Sequence, residues 1–180
     1  MEYNPRHHVD ILCSLGPMLT AEEWAAKGMD KYGLIVVAED GKTAQVEKVS
    51  HATATSLLQS MGQIASVGAS LGSFSVSVKM LECLMVEFSG ELAEKQGKFD
   101  ADPHLWMPMT LDRAAYLHLM VQKGIPEAIA AEHHARIAQM VERFWSDESA
   151  KTLQLFGPVD VGEGMYWWDY GQLKLYQRNT

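Results

Sequence analysis

Two cysteines in 180 residues, Cys13 and Cys83, are too few for a disulfide framework, and their spacing matches no zinc site. They read as free thiols of a reducing compartment. No run of about 18 apolar residues is present to span a bilayer. The opening stretch Met1-Glu2-Tyr3-Asn4-Pro5-Arg6-His7-His8 lacks the basic-then-apolar layout of a secretory signal. These absences set the expectation of a cytoplasmic protein without membrane association. Basic residues are also scarce: 15 Lys plus Arg stand against 23 Asp plus Glu, a net charge of -8. Nucleic acids and anionic membranes require a broad basic face, so neither is expected as a partner. A small basic pocket for one phosphate remains compatible with this balance.

A further absence bears on chemistry. Phosphate-binding turns place successive backbone N–H groups around an anion, usually after a first strand. Neither G-x-G-x-x-G nor G-x-x-x-x-G-K-[ST] occurs, and the glycine-dense stretch 62–72 has no basic residue. A self-contained nucleoside-triphosphate site is therefore not expected.

What is present is an ordinary globular composition, 47% hydrophobic and 21% charged, in a length that suits one domain over residues 1–180. No repeat or linker interrupts it. Residues 1–32 show no clear nucleating strand, but Thr20-Ala21-Glu22-Glu23 has the form of a helix N-cap with an acidic first turn. Gly33-Leu34-Ile35-Val36-Val37-Ala38, the turn Glu39-Asp40-Gly41-Lys42 and the alternating residues 43–48 predict a β-hairpin. A short helix over 51–60 follows. Residues 67–77 then read as a buried strand, with a glycine where something approaches the backbone. Apolar spacing predicts helices over 78–95, 111–122 and 126–144, and strands at 153–157 and 159–162. A closing helix is expected over 172–178. The 11 methionines fall mostly at apolar helical positions, as core filler. The fold class this predicts is α/β, a mixed sheet with flanking helices.

Three segments could carry chemistry. Glu47-Lys48 ends the hairpin. A carboxylate accepts hydrogen bonds from two sugar hydroxyls, and a neighbouring ammonium neutralises a phosphate. Consecutive strand residues point to opposite faces, so the pair can share a pocket only where the strand ends; the plainer reading is a solvated charged pair. Asp169, between Trp168 and Tyr170-Gly171, precedes the closing helix, where an Asp can hold Mg²⁺ or simply cap the helix. The Pro-bounded stretch Phe99-Asp100-Ala101-Asp102-Pro103-His104-Leu105-Trp106-Met107-Pro108-Met109 offers carboxylates for hydroxyls and a Trp for a pyranose face, or serves as an ordinary loop. His7-His8 lies near a terminus. His133-His134 lies mid-helix, where neighbours diverge by about 100° and cannot share a metal. Ser73 and Ser75 have no adjacent His-plus-acid pattern, so serine catalysis is not expected.

In order and spacing, these segments resemble the sugar-1-phosphate nucleotidyltransferase family, which includes glucose-1-phosphate thymidylyl- and uridylyltransferases. Gly33 to Lys48 is similar to that family's Gly-led strand, acidic-Gly turn and E-K-P motif, with Val49 in place of the proline. Leu71-Gly72-Ser73-Phe74 is similar to the strand whose glycine approaches the sugar. Trp167-Trp168-Asp169-Tyr170-Gly171 is similar to the aromatic-x-D-x-G motif. The resemblance covers roughly residues 33–180. It implies a Rossmann-like mixed sheet whose nucleotide-binding N-terminal half would precede residue 1. It also implies a sugar site built from Glu47, Lys48, Gly72, Ser73, Asp102 and Trp168, and Asp169 as the ligand of a catalytic Mg²⁺. The implied reaction joins an NTP and a sugar 1-phosphate to give an NDP-sugar and pyrophosphate, with Lys48 and Asp169 in catalytic roles. The alternative expectation is a non-catalytic sugar-phosphate-binding or interaction module of the same descent. A homo-oligomer is compatible with either.

Overall fold

Strand length sets the plan of this α/β molecule, whose computed structural model describes residues 5–94, 105–162, 164 and 177. Five strands form one curled mixed sheet: β1 (His7–Gly16), β2 (Gly33–Ala38), β3 (Thr43–Glu47), β4 (Ile64–Val76) and β5 (Gln154–Asp160), in the order β3-β2-β4-β1-β5. The β1–β4, β2–β3 and β2–β4 ladders are antiparallel, and β1–β5 is parallel. The hairpin lies where the Asp40-Gly41 turn residues place it, with Lys42 Nζ 2.9 Å from Asp40. Seven helices occupy the described residues: α1 (Ala21–Lys27), α2 (His51–Gln59), α3 (Val78–Glu87), α4 (Ser89–Glu94), α5 (Trp106–Thr110), α6 (Arg113–Gln122) and α7 (Glu127–Trp145).

Strand alternation builds a core on each face of the sheet. Leu34 and Val36 of β2, with Ala44 and Val46 of β3, pack with Trp24, Leu57, Tyr116 and Met120 from α1, α2 and α6. Ile35, one residue out of phase, joins Val9, Ile11 and Cys13 of β1 on the other face, under Met80, Leu84, Ile137, Met140 and Phe144 of α3 and α7. Met80, Met107, Met120 and Met140 have no exposed surface, as core filler should. Caps mark the helix starts. Thr20 and Glu23 form a reciprocal capping box on α1, and Ser50, Ser77 and Asp112 accept from the first turns of α2, α3 and α6. No described helix is long and apolar enough to cross a membrane.

Several expectations need correction. The N-terminal segment is a strand, and β1 lies between β4 and β5. Its apolar set, Val9, Ile11 and Cys13, alternates with His8 and Asp10, yet both polar residues are buried. His8 is accommodated because each ring nitrogen finds a partner, the Ser77 hydroxyl at 2.7 Å and the Ala150 carbonyl at 2.7 Å. Asp10 receives His7 Nδ1 at 2.6 Å. The two C-terminal strands are one, β5, which carries Pro158 on its way to Asp160 and, among the described residues, pairs on one side only. Trp106 does not sit in an open loop; it begins α5 and is buried against Phe74 and Phe156. The expected closing helix lies outside the described residues, apart from a helical Gln177.

The strand over residues 67–77 is only half buried. Gly72, Ser73 and Phe74 are exposed. The glycine where a backbone approaches is Gly68: a Cβ there would overlap the Ser14 carbonyl of β1, whereas one at Gly72 would meet open space. What Gly72 supplies is a φ of 72° in a bulge, where Leu71, Gly72 and Ser73 stand opposite Leu12 alone. Gly68→Ala should therefore cost about 2 kcal/mol or more by forcing β1 and β4 apart. Gly72→Ala should cost about 1 kcal/mol from backbone conformation alone. Urea denaturation of the two variants checks this, and equal losses would contradict it.

Lys79 of α3 is tied to Asp147, which opens the 3-10 turn Glu148–Thr152 leading into β5. Hydrogen bonds from Lys79 and then Ser149 hold the Asp147 carboxyl down at about 2. A depressed acid contributes stability above its unfolded value and loses it as pH falls through the folded value. Asp147→Asn should therefore flatten the acid limb of the stability profile between roughly pH 4 and pH 2. An unchanged limb in acid titrations of the variant would contradict the assignment.

Candidate functional site

The hairpin and the central strand differ in length, and the difference creates a step in the sheet. β2 begins at Gly33, opposite Glu47, where β3 ends. Its ladder to β4 reaches Leu34 opposite Ala69. β4 runs on to Val76 with β1 on its other side, six residues and roughly 20 Å past Ser70. Among the described residues no strand pairs with the hairpin-side edge of this extension. The corner between the hairpin end and the β4 bulge is where Glu47, Lys48, Gly72 and Ser73 come onto the same end of the sheet.

Glu47 is placed by two neighbours. Its carboxylate lies where a Cβ of Gly33 would be, so glycine at position 33 is what lets the side chain fold back over β2 toward β4. Gln45, two residues earlier on the same face, donates Nε2–H to Glu47 Oε1 at 2.5 Å. The Gln45 backbone N–H, pointing away from β2, is taken by the Thr110 hydroxyl at 3.0 Å. Through Thr110, and through Trp106 against Phe74, the short helix α5 bridges the step. A Glu47–Gly33–Ser70–Cys13 row follows from continuing the register across the sheet. At its end, burial first and Asp160 second push the Cys13 thiol up to about 12, which disfavours the thiolate.

Lys48 departs from the extended backbone of the strand. Its φ is 51°, making it the one non-glycine residue with a positive φ among the described residues. The left-handed conformation ends the strand alternation just where the E-K pair needs it ended. Its N–H donates to the Tyr32 carbonyl at 3.1 Å, closing the open end of the hairpin. Its own carbonyl receives Lys123 Nζ at 3.4 Å from the C-terminus of α6. The Lys123 ammonium is thus held at the backbone of the residue that ends the hairpin.

Lys123 and Gln45 are the residues that sequence reasoning passed over. Nothing local in the sequence links Lys123 to a residue 75 positions away. Gln45 stood in an alternating run, where a polar residue reads as solvent-facing. Its signal was the i, i+2 spacing to Glu47. Asp102, Trp168 and Asp169 lie outside the described residues.

A second concavity, about 530 Å³, opens where the outer strands of the curled sheet approach each other, lined among others by Asp40, Thr43, Met61, Thr110, Gln154 and Phe156. Its polar groups are mostly spent locally: Asp40 on Lys42, Thr43 on the Gly41 carbonyl and Asp112 on the α6 cap. Glu47, Lys48, Gly72 and Ser73 are not among its lining residues. Among the described residues, no three His, Cys, Asp or Glu side chains converge as metal ligands.

No family model, curated protein or solved structure matches this chain. The functional reading therefore stands on the geometry of the hairpin end and on the resemblance of its motifs.

A lysine in the left-handed region is held there at a cost of about 1 kcal/mol that glycine does not incur. Lys48→Gly should leave the fold as stable as the parent or up to about 1 kcal/mol more stable, by thermal and urea unfolding. A loss above 1 kcal/mol would mean that the lysine side chain, and not a functional demand, fixes this conformation.

Proposed function

We propose that this chain provides the sugar-phosphate site of a sugar-1-phosphate nucleotidyltransferase. In this reading Glu47 accepts hydrogen bonds from sugar hydroxyls, and the Lys48 ammonium neutralises the phosphate, with Lys123 held at the Lys48 carbonyl. The exposed backbone of Gly72 and Ser73 lines the sugar, with Asp102 and Trp168 completing the pocket. The observation that carries the proposal is the seating of Glu47. An acid folded over a glycine, held by a buried carboxamide and ending a strand at a left-handed lysine, is more constrained than a solvated charged pair. A carboxylate and an ammonium at one strand end also match the two ends of a sugar phosphate.

The Rossmann-like relationship belongs to the same proposal, as does a nucleotide-binding half supplied from outside residues 1–180. Mg²⁺ would be held by Asp169, where it would offset charge developing on the transferred phosphoryl group. The described residues do not themselves make a metal site, and their part is to bind and orient the sugar phosphate. An oriented hydroxyl-and-phosphate clamp lowers the barrier by fixing the attacking phosphate relative to its target.

Isothermal titration of the full chain with glucose 1-phosphate and other hexose 1-phosphates, with and without Mg²⁺ and NTP, tests this. The proposal expects saturable binding of one hexose 1-phosphate, weakened at least about tenfold, or about 1.4 kcal/mol, by Glu47→Ala. Binding without any response to NTP would favour the non-catalytic module. A folded chain that binds no hexose 1-phosphate would overturn both readings.

A further inference from the structure

The two histidines that open β1 are used differently. His8 is committed to the core, with one ring nitrogen at the Ser77 hydroxyl and the other at the Ala150 carbonyl. His7 keeps one nitrogen in reserve. Its Nδ1–H donates to Asp10 Oδ1 at 2.6 Å, and Asp10, 2% exposed, is the one buried carboxylate among the described residues. Asp10 pairs with Gly157 of β5, and a Cβ at Gly157 would overlap Cε1, Nε2 and Cδ2 of the His7 imidazole. The ring therefore reaches from Asp10 on β1 onto β5, in a seat that only glycine leaves open. A carboxylate at Nδ1 fixes the tautomer and leaves the lone pair on Nε2. Nε2 makes no hydrogen bond among the described residues, yet the buried side-chain atoms without a partner there are Trp24 Nε1 and Gln45 Oε1. With the His7 side chain 11% exposed, Nε2 is open to solvent.

We propose that His7 Nε2 is a phosphoryl acceptor for small donors of the acyl phosphate or phosphoramidate class, with Asp10 as its positioning residue. Three uses of an oriented imidazole can be separated here. A metal needs further ligands, and no three His, Cys, Asp or Glu side chains converge among the described residues. A base for a protein nucleophile needs that hydroxyl or thiol on its free nitrogen; the nearby Ser77 hydroxyl is bonded to His8 instead. The nucleophilicity of the ring itself remains, and it requires only an accessible lone pair and a carboxylate across the ring. The Nε2 lone pair forms the N–P bond as the bond from phosphorus to the leaving group breaks. That electron pair departs with the leaving group, a carboxylate or ammonia. The Nδ1 proton stays in its hydrogen bond, and the Asp10 charge offsets the positive charge that the ring acquires. The site lies on β1 and β5, apart from the hairpin corner on β2, β3 and β4, and it does not depend on the sugar-phosphate reading.

Incubation of the full chain with potassium phosphoramidate, followed by mass-spectrometric mapping of phosphohistidine, tests this against an internal control. His118 is exposed on α6 and has Gln122 at its Nε2. His7 is expected to be modified at least about tenfold faster than His118 in the same molecules, although it is the less exposed of the two. Asp10→Asn is expected to slow His7 by roughly ten- to a hundredfold and to leave His118 unchanged. Gly157→Ala pushes the ring from its seat while keeping both side chains, and it should erase the same preference. In urea, where the dyad is gone, the parent should label both histidines at one rate. Equal rates in the folded parent would overturn the proposal without any variant. So would a folded Asp10→Asn chain that labels His7 at the parental rate. A preference for His7 that survives in urea would belong to the local sequence and would overturn it as well. Should Asp10→Asn fail to fold, Gly157→Ala and the folded and unfolded parent decide.

Discussion

The structure depends on the mismatch between a central strand of thirteen residues and a hairpin partner of six. β4 must pair with β2 along its first half and with β1 along nearly all of its length, so the sheet cannot have a square end. Gly68 permits the close β4–β1 approach. The bulge at Gly72 then resets the register where support from β2 has stopped. The exposed corner left by this mismatch is framed by the end of the hairpin on one side and the bulge on the other. α5 braces it, with Trp106 on the β4 extension and Thr110 on β3. Bulges and strand ends are where backbone geometry can depart from the regular ladder, and therefore where side chains can be re-aimed.

Local signals made much of the fold legible. The hairpin was readable because β-branched residues flank an Asp-Gly turn, and the helices because their apolar spacing and caps agree. β1 was not, because its polar positions, His8 and Asp10, look like tail residues until their partners at Ser77, Ala150 and His7 are known. Those of His8 lie 69 and 142 residues away. The single strand β5 was split in the sequence reading because a proline interrupts its apolar run. An edge strand tolerates proline, but sequence alone does not reveal which strand is the edge.

At the candidate site the types of residue were readable and their arrangement was not. Glu47-Lys48 could be recognised as chemically apt. That the lysine would be left-handed, ending the alternation that separates the pair, required the structure. Gly33 had been read as the start of a strand, and its clearance for the Glu47 carboxylate emerges only from the β2–β3 register. The sequence suggests a close approach to the backbone at Gly72, whereas the glycine serves its own positive φ and the close approach is at Gly68. Lys123 enters through a contact with a backbone carbonyl, which leaves no trace in residue type or spacing.

The central claim is that the corner of the sheet, and not the cleft between its outer strands, receives the ligand. A crystal structure of the chain with a hexose 1-phosphate tests it most directly. The account predicts the sugar over Gly33 within hydrogen-bonding distance of Glu47 and beside the Gly72–Ser73 bulge, with its phosphate toward Lys48. A sugar phosphate seated among Thr43, Met61, Thr110 and Phe156 would contradict it.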